Sequence, residues 1–304
     1  MVQSKTKQII AVLGPTAVGK TQFSIELARF LNTEIISADS RQFYKEMSIG
    51  TAVPTKEDLQ KVPHHFIQHI SIQQVYTAGD YQQEALQTLE KLFEQHNTLI
   101  LTGGSGLYID ALLYGLDTFP EVDPTIRKNL NAQFQKEGIA PLQEQLGHLD
   151  LETFAQIDIQ NPRRLIRALE VCIGTGVPFS SFKKKPDKTK RNFQILKIGI
   201  KLQRETLYKN IDSRVLKMME NGLVEEARRL YPMRQINALQ TVGYKELFRH
   251  FDGDISLIQA IEDIQKNTRR YAKRQLTWLR KKPDINWILP SDSPSEYIEN
   301  LGEL

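Results

Sequence analysis

One cysteine, Cys172, stands in 304 residues. A single thiol builds neither a disulfide framework nor a Cys-rich zinc site. Cys172 falls in a helical pattern and is expected to be a small buried hydrophobe. The expected compartment is the cytoplasm. No run of about 18 apolar residues occurs, so no segment is expected to span a membrane. The apolar stretch near the start, Ile9 to Leu13, is too short for a signal-peptide core. Charge of one sign is also missing: 40 Lys and Arg stand against 36 Asp and Glu, a net of +4. There is no internal repeat. The one biased stretch, Lys183 to Arg191, reads as a basic solvated loop. With 40% hydrophobic and 25% charged residues, the chain reads as a globular protein rather than a disordered or fibrous one.

What is present begins with alternation. Lys7 to Leu13 is a short apolar run and reads as a buried strand. Phe23, Leu27, Phe30 and Leu31 then recur at helical spacing. Strands are expected at Glu34 to Asp39, His65 to Ile70, Thr98 to Thr102, Phe193 to Ile200 and Asn286 to Leu289, and a helix over Tyr81 to Gln95. Strands alternating with helices predict an α/β fold, a parallel sheet flanked by helices, which the glycine-bearing phosphate loop after the first strand makes P-loop NTPase-like. From Asp123 to Val171 the pattern is almost wholly helical. The expected organisation is a core of residues 1–119 and 193–304, ending in basic helices, with a helical insertion domain of residues 120–192.

The loop after the first strand reads Gly14-Pro15-Thr16-Ala17-Val18-Gly19-Lys20-Thr21, a full match to G-x-x-x-x-G-K-[ST] between a strand and a helix. Glycines let backbone N–H groups converge on phosphate oxygens, and the helix N-terminus adds positive potential. Lys20 supplies a point charge and Thr21 a hydroxyl suited to Mg²⁺. The later strand, Thr98 to Thr102, runs into Gly103-Gly104-Ser105-Gly106 without the carboxylate many P-loop enzymes carry there. The acid instead closes the second strand, as Asp39. Strand C-terminal ends line the ligand crevice of such sheets, so Asp39 is expected beside the phosphates.

Lys266 to Lys282 carries eight basic residues and no acid. Lys266, Arg270, Arg274 and Lys281 fall on one side of that helix, and Ile264, Tyr271 and Trp278 on another. A second basic cluster is Arg163-Arg164-Leu165-Ile166-Arg167. Uncompensated cations on helices suit a phosphate backbone. From the residues alone the chain is expected to bind a di- or triphosphate and a nucleic acid, and two alternatives stay open: a P-loop small-molecule kinase using ATP with residues 120–192 as its lid, and a nucleotide-gated RNA-binding protein. His64, His65 and His69 are expected to be structural, and Trp278 and Trp287 to be core.

Over nearly its whole length the chain resembles the tRNA dimethylallyltransferases, also called tRNA isopentenyltransferases. The likeness lies in Gly14 to Thr21, Ile36 to Tyr44, Met47 to Ala52 and Pro63-His64-His65. It continues through Gly103 to Tyr108, Arg164 to Val171, Val242 to Lys245 and Lys273 to Arg280. Arg163 stands where the family often has Gln, and Ser105 where Thr is common. With one cysteine the chain lacks the ligands of the zinc finger carried by eukaryotic relatives, so the bacterial type is expected.

The resemblance implies transfer of a dimethylallyl group from dimethylallyl diphosphate to N6 of the adenosine 3′ of the anticodon in tRNA. Diphosphate leaves, and Mg²⁺ is the implied cofactor, with Thr21 as a ligand. By the same likeness Gly14, Pro15, Thr16, Ala17, Val18, Gly19, Lys20 and Thr21 hold the diphosphate. Asp39 is the general base, and Thr21, Arg164 and Arg214 act at the reacting centre. The implied contacts to the tRNA anticodon loop are Asp39, Ser40, Arg41, Gln42, Ser105, Arg127, Arg163, Arg164, Leu165, Ile166 and Arg167. They extend to Gln240, Thr241, Val242, Gly243, Tyr244 and Lys245, and to Lys273, Arg274 and Arg280. Neither a membrane nor a protein partner is implied.

Overall fold

A computed structural model describes residues 6–183 and 191–301. Most of the basic run at 183–191 therefore lies outside the described residues. The chain divides into two compact units, residues 1–114 with 191–304, and residues 115–190.

The first unit opens β1 (Gln8–Leu13), α1 (Lys20–Phe30), β2 (Ile35–Ser37), α2 (Lys56–Lys61), β3 (His64–His65), α3 (Ala78–Leu92), β4 (Thr98–Thr102) and α4 (Gly106–Tyr114). The second unit is helical: α5 (Pro124–Glu137), α6 (Ala140–Leu149), α7 (Leu151–Gln156) and α8 (Pro162–Thr175). The chain then returns to the first unit with β5 (Gln194–Ile200), α9 (Arg204–Glu220), α10 (Leu223–Leu230), α11 (Tyr244–Phe251), α12 (Leu257–Leu279), β6 (Ile285–Ile288) and α13 (Pro294–Leu301).

The described strands form one sheet in the order β3-β2-β4-β1-β5-β6, and every pairing is parallel. All six residues of β1 are buried, because a parallel sheet is covered on both faces. Alternation then sorts side chains into two cores. Ile9, Ala11, Leu13, Leu99 and Leu101 join one, with α3, α4 and α10 to α12. Ile10, Val12, Ile35, Ile100, Ile198 and Ile200 join the other, with α1 and the start of α9.

One strand expectation needs correcting. His65 to Ile70 is not a strand: only His64 and His65 pair, with Ile35 and Ile36. Phe66 (φ 65°) and Gln68 (φ 48°) are left-handed, which breaks an extended run. Ile70 makes one isolated parallel bridge, to Tyr44, outside the strands of the sheet.

The histidines are structural. His64 Nδ1 meets Val62 O at 2.8 Å, and His65 Nε2 meets Glu34 Oε2 at 2.6 Å. His69 lies among the rings of Phe43, Phe66 and Tyr76. Trp278 packs on Gly106, where a Cβ would come within 2.6 Å of the indole, and its Nε1 donates to Asp110 at 3.2 Å.

In the second unit Leu142, Leu146, Leu165, Ile166, Leu169 and Cys172 form the core. Asn161 caps α8 by accepting from the N–H groups of Arg163 and Arg164. Burial raises the Cys172 thiol pKa, in keeping with an inert thiol.

Candidate functional site

The cradle forms where β1 ends. A Cβ on Gly14 would lie 2.9 Å from Ile200 O and 2.9 Å from Val18 Cγ1, so only glycine lets the loop turn there. Gly19 is the N-cap of α1 with φ 103°, a conformation that strains any other residue. It offers no capping side chain, and the first turn of α1 carries no acid. The N–H groups opening α1 have no helical carbonyl behind them, which makes this end an anion seat.

Lys20 Nζ donates to Gly14 O at 2.9 Å and Pro15 O at 2.7 Å. Burial pushes its pKa from 10.5 down to about 8, with Asp39 opposing the fall and Arg214 adding to it. Burial also holds Arg214 below its ordinary value, Asp39 pulling the other way. Arg214, on α9, donates Nη1 to Thr16 Oγ1 at 3.3 Å.

The loops after β2 and β4 meet at the same end of the sheet. Ala38 N donates to Thr102 O at 2.7 Å and Ser105 N to Ala38 O at 3.2 Å. A Cβ on Gly103 would lie 2.5 Å from Ala38 O, so glycine permits this approach. Ser105 Oγ accepts from Ser40 N at 2.9 Å and meets Ser40 Oγ at 2.9 Å. Arg41 N donates to Asp39 Oδ1 at 3.1 Å. Asp39 is thereby held with its carboxylate beside Gly104.

Two cavities share this wall. One, of 290 Å³, is lined by the cradle residues from Thr16 to Thr21 together with Asp39, Gly104, Arg214, Tyr271 and Gln275. The other, of 660 Å³, is lined by Ser40, Arg41, Gln240 to Gly243, Lys245, Asn267 and Arg274 among others. Thr16, Asp39, Thr51, Arg214 and Tyr271 border both. The structure thus brings a carboxylate and a guanidinium to the wall shared by a recess at the cradle and a larger chamber of mixed polar and apolar lining.

A family model described as IPP transferase matches residues 42–282. The chain belongs to the IPP transferase family. It is 57% identical over 297 residues to the tRNA dimethylallyltransferase of Christiangramia forsetii, covering 96% of this chain and 97% of that protein. It is 51% identical over 303 residues to the protein of the same name from Flavobacterium johnsoniae, covering 98% of each. The crystal structure of the tRNA isopentenylpyrophosphate transferase from Bacillus halodurans matches with a TM-score of 0.71 and 36% identity. That match covers 98% of this chain and 97% of the other. A eukaryotic dimethylallyltransferase acting on tRNA matches with a TM-score of 0.80 at 26% identity, covering 98% of this chain and 77% of that one.

Within this IPP transferase fold, several expected contact residues are engaged by the protein itself. Tyr244 is fully buried, its hydroxyl donating to Glu226 Oε1 at 2.7 Å, so its side chain does not reach solvent. Leu165 and Ile166 are likewise core residues of the second unit. The side chains of these three are packing groups, since an apolar or fully paired side chain is stabilised by burial. Gln42 Nε2 donates to Thr51 O at 3.1 Å and Ala52 O at 2.9 Å, and Arg41 Nη1 to Ala238 O at 3.0 Å. Arg127 and Arg167 both bond Glu170 Oε2, at 2.6 and 3.2 Å. With exposed Arg163 and Arg164 they belong to the second unit. Of the eight cations from Lys266 to Lys282, Arg269 pairs with Asp212 and Lys282 with Asp110. Lys266, Arg270, Lys273, Arg274, Arg280 and Lys281 are exposed.

Two residues escaped the sequence reading. Gln275, 7% exposed on α12, accepts from Thr16 N at 2.8 Å and donates to Gly104 O at 2.9 Å. Glu226, 2% exposed on α10, accepts from the N–H groups of Ser48, Ile49 and Gly50 at 3.1, 2.9 and 2.9 Å. It braces the segment whose Gly50 and Thr51 line the larger cavity. The available signal was the same in both: a polar residue on the apolar face of a helix, beside Ala272 and Leu279 or Ala227 and Leu230.

Among the described residues no group of three or more His, Cys, Asp or Glu could hold a metal. The donors present suit Mg²⁺ all the same. That ion commonly rests on one or two protein oxygens, substrate phosphates and water. Thr21 lines the recess and is exposed to it, as the only such hydroxyl in the opening turn of α1.

Proposed function

We propose that this chain transfers a dimethylallyl group from dimethylallyl diphosphate to N6 of the adenosine 3′ of the anticodon in tRNA. One observation carries the reading: Asp39 and Arg214 border both the phosphate recess and the larger chamber. A donor seated by its diphosphate in the recess and a base entering the chamber would meet at that carboxylate.

The chemistry follows from the charges. As the allylic C–O bond breaks, its electron pair leaves with the diphosphate and the carbon becomes cation-like. The N–H groups opening α1, Lys20 and Arg214 stabilise the charge gathering on the leaving group. The adenine N6 lone pair forms the new C–N bond. That amine is a poor nucleophile because its lone pair is delocalised into the ring, so loss of its proton must accompany attack. Asp39 accepts that proton, a role worth roughly 10²–10⁴ in rate. Mg²⁺, when bound at Thr21 and the diphosphate oxygens, would neutralise part of the leaving-group charge.

The base must leave its stack, which costs a few kcal/mol and least in a loop. An anticodon loop suits that requirement, and single-strand contacts suit a chamber lined by Arg41, Gln240, Lys245 and Arg274 better than groove reading does. The exposed cations of α12 supply the attraction for phosphates.

The test is mass spectrometry of tRNA nucleosides after incubation with dimethylallyl diphosphate and Mg²⁺. The expected product is adenosine carrying one dimethylallyl group on N6, in the anticodon loop. Unmodified tRNA, or ATP hydrolysed in its place, would overturn the proposal.

A further inference from the structure

The two arms of the cradle are not equivalent. On the arm that leaves β1, every polar group named above already has a protein partner. Gly14 O and Pro15 O accept from Lys20, Thr16 Oγ1 from Arg214, and Thr16 N donates to Gln275 Oε1 at 2.8 Å. On the arm that enters α1, Gly19 supplies no cap and the opening N–H groups lack helical partners.

Gln275 is fixed in this role. Thr16 N–H requires an acceptor and Gly104 O a donor, so only one orientation of the amide satisfies both. A Cβ on Gly104 would lie 2.5 Å from Gln275 Nε2, so the glycine there is what admits the amide. Tyr271, one turn earlier on α12, donates to the same carbonyl at 3.4 Å. The result is a carbonyl oxygen, Gln275 Oε1, seated on a cradle N–H, in a buried side chain that lines the phosphate recess.

We propose that Gln275 sets the length of the cradle: its side-chain oxygen occupies the Thr16 N–H and limits the bound polyphosphate to two phosphates. A diphosphate needs only the arm entering α1. A third phosphate extending to the other arm would set anionic oxygens against the amide oxygen and find its N–H taken. Gln275 is thus a specificity residue that turns a loop able to hold nucleoside triphosphates into one suited to a diphosphate donor. This rests on the reading of the recess as a diphosphate site.

The experiment compares inorganic diphosphate with inorganic tripolyphosphate, titrated calorimetrically at fixed Mg²⁺ against the full chain. Gln275→Met keeps the volume and removes the oxygen, and Gln275→Leu serves the same purpose should the first variant fail to fold. The variant's preference is expected to move about tenfold toward tripolyphosphate, the worth of one charge-assisted hydrogen bond. Gln275→Glu keeps an acceptor on Thr16 N–H, and it should weaken both anions without that shift. A merely structural role would lower the melting temperature and leave the preference unchanged, and that result would overturn the proposal. Wild-type protein that binds no diphosphate would instead overturn the reading of the recess itself.

Discussion

Raising the pH through the Lys20 titration reads the cradle quantitatively. Burial lowers this ammonium from 10.5 to about 8, against the opposing pull of Asp39. A diphosphate binds the protonated form, so binding raises the Lys20 pKa and draws in a proton wherever the free lysine is neutral. Affinity is therefore full below about pH 8 and falls above it, by about tenfold per pH unit once the lysine is mostly neutral. With roughly nine-tenths protonated at about pH 7 and a tenth at about pH 9, the dissociation constant for dimethylallyl diphosphate should rise close to tenfold between them. Calorimetric titration in two buffers of different ionisation heat measures both the affinity and the proton taken up. Uptake should approach one proton per site at the upper end. Lys20→Met should bind more weakly and lose that uptake. A flat affinity across the range, or the same slope in Lys20→Met, would refute the reasoning.

Glu226→Ala strips the acceptor from three backbone N–H groups and the Tyr244 hydroxyl. Each buried orphan costs about 1–3 kcal/mol, so urea unfolding should report a loss of about 3–5 kcal/mol after partial relaxation. Replacing Lys273, Arg274 and Arg280 with Gln should raise KM for tRNA and flatten its dependence on salt, by a slope of about 0.7 per lost phosphate contact. Donor affinity should hardly move, and an unchanged salt slope counts against this surface. Burial lowers the pKa of His64 and His69, so acid protonates these groups first in the unfolded chain. Their contribution to stability is full above the ordinary value of 6.5 and is lost as pH falls through the folded values. Melting temperatures measured on both sides of that value should show the decline, and His69→Gln should reduce it.

The strands and the cradle were legible because each is a local pattern. Thr98 to Thr102 is an apolar run closed by two glycines, and β4 has those bounds. Gly14 to Thr21 lies between a strand and a helix, where the motif needs it. The end of β3 was not legible, since nothing in Phe66 and Gln68 announces a left-handed backbone. The charge of α12 was overread for a related reason. Asp212 and Asp110, which pair Arg269 and Lys282, lie 57 and 172 residues away in sequence. Tyr244 sits in a motif beside residues that do line the larger cavity, and only the fold turns its ring inward. Gln275 lies between Ala272 and Leu279 on the buried face of α12, but the partners that receive its amide there, Thr16 N–H and Gly104 O, are 259 and 171 residues away in sequence.

Single-turnover prenyl transfer by Asp39→Asn tests the account most directly. Enzyme charged with dimethylallyl diphosphate is mixed with tRNA, and formation of the N6–carbon bond is followed alongside donor affinity. The rate of bond formation should fall by roughly 10²–10⁴ while the donor binds about as tightly as before. Transfer at near the wild-type rate would mean that another group takes the proton, and that the carboxylate shared by the two cavities is not the base.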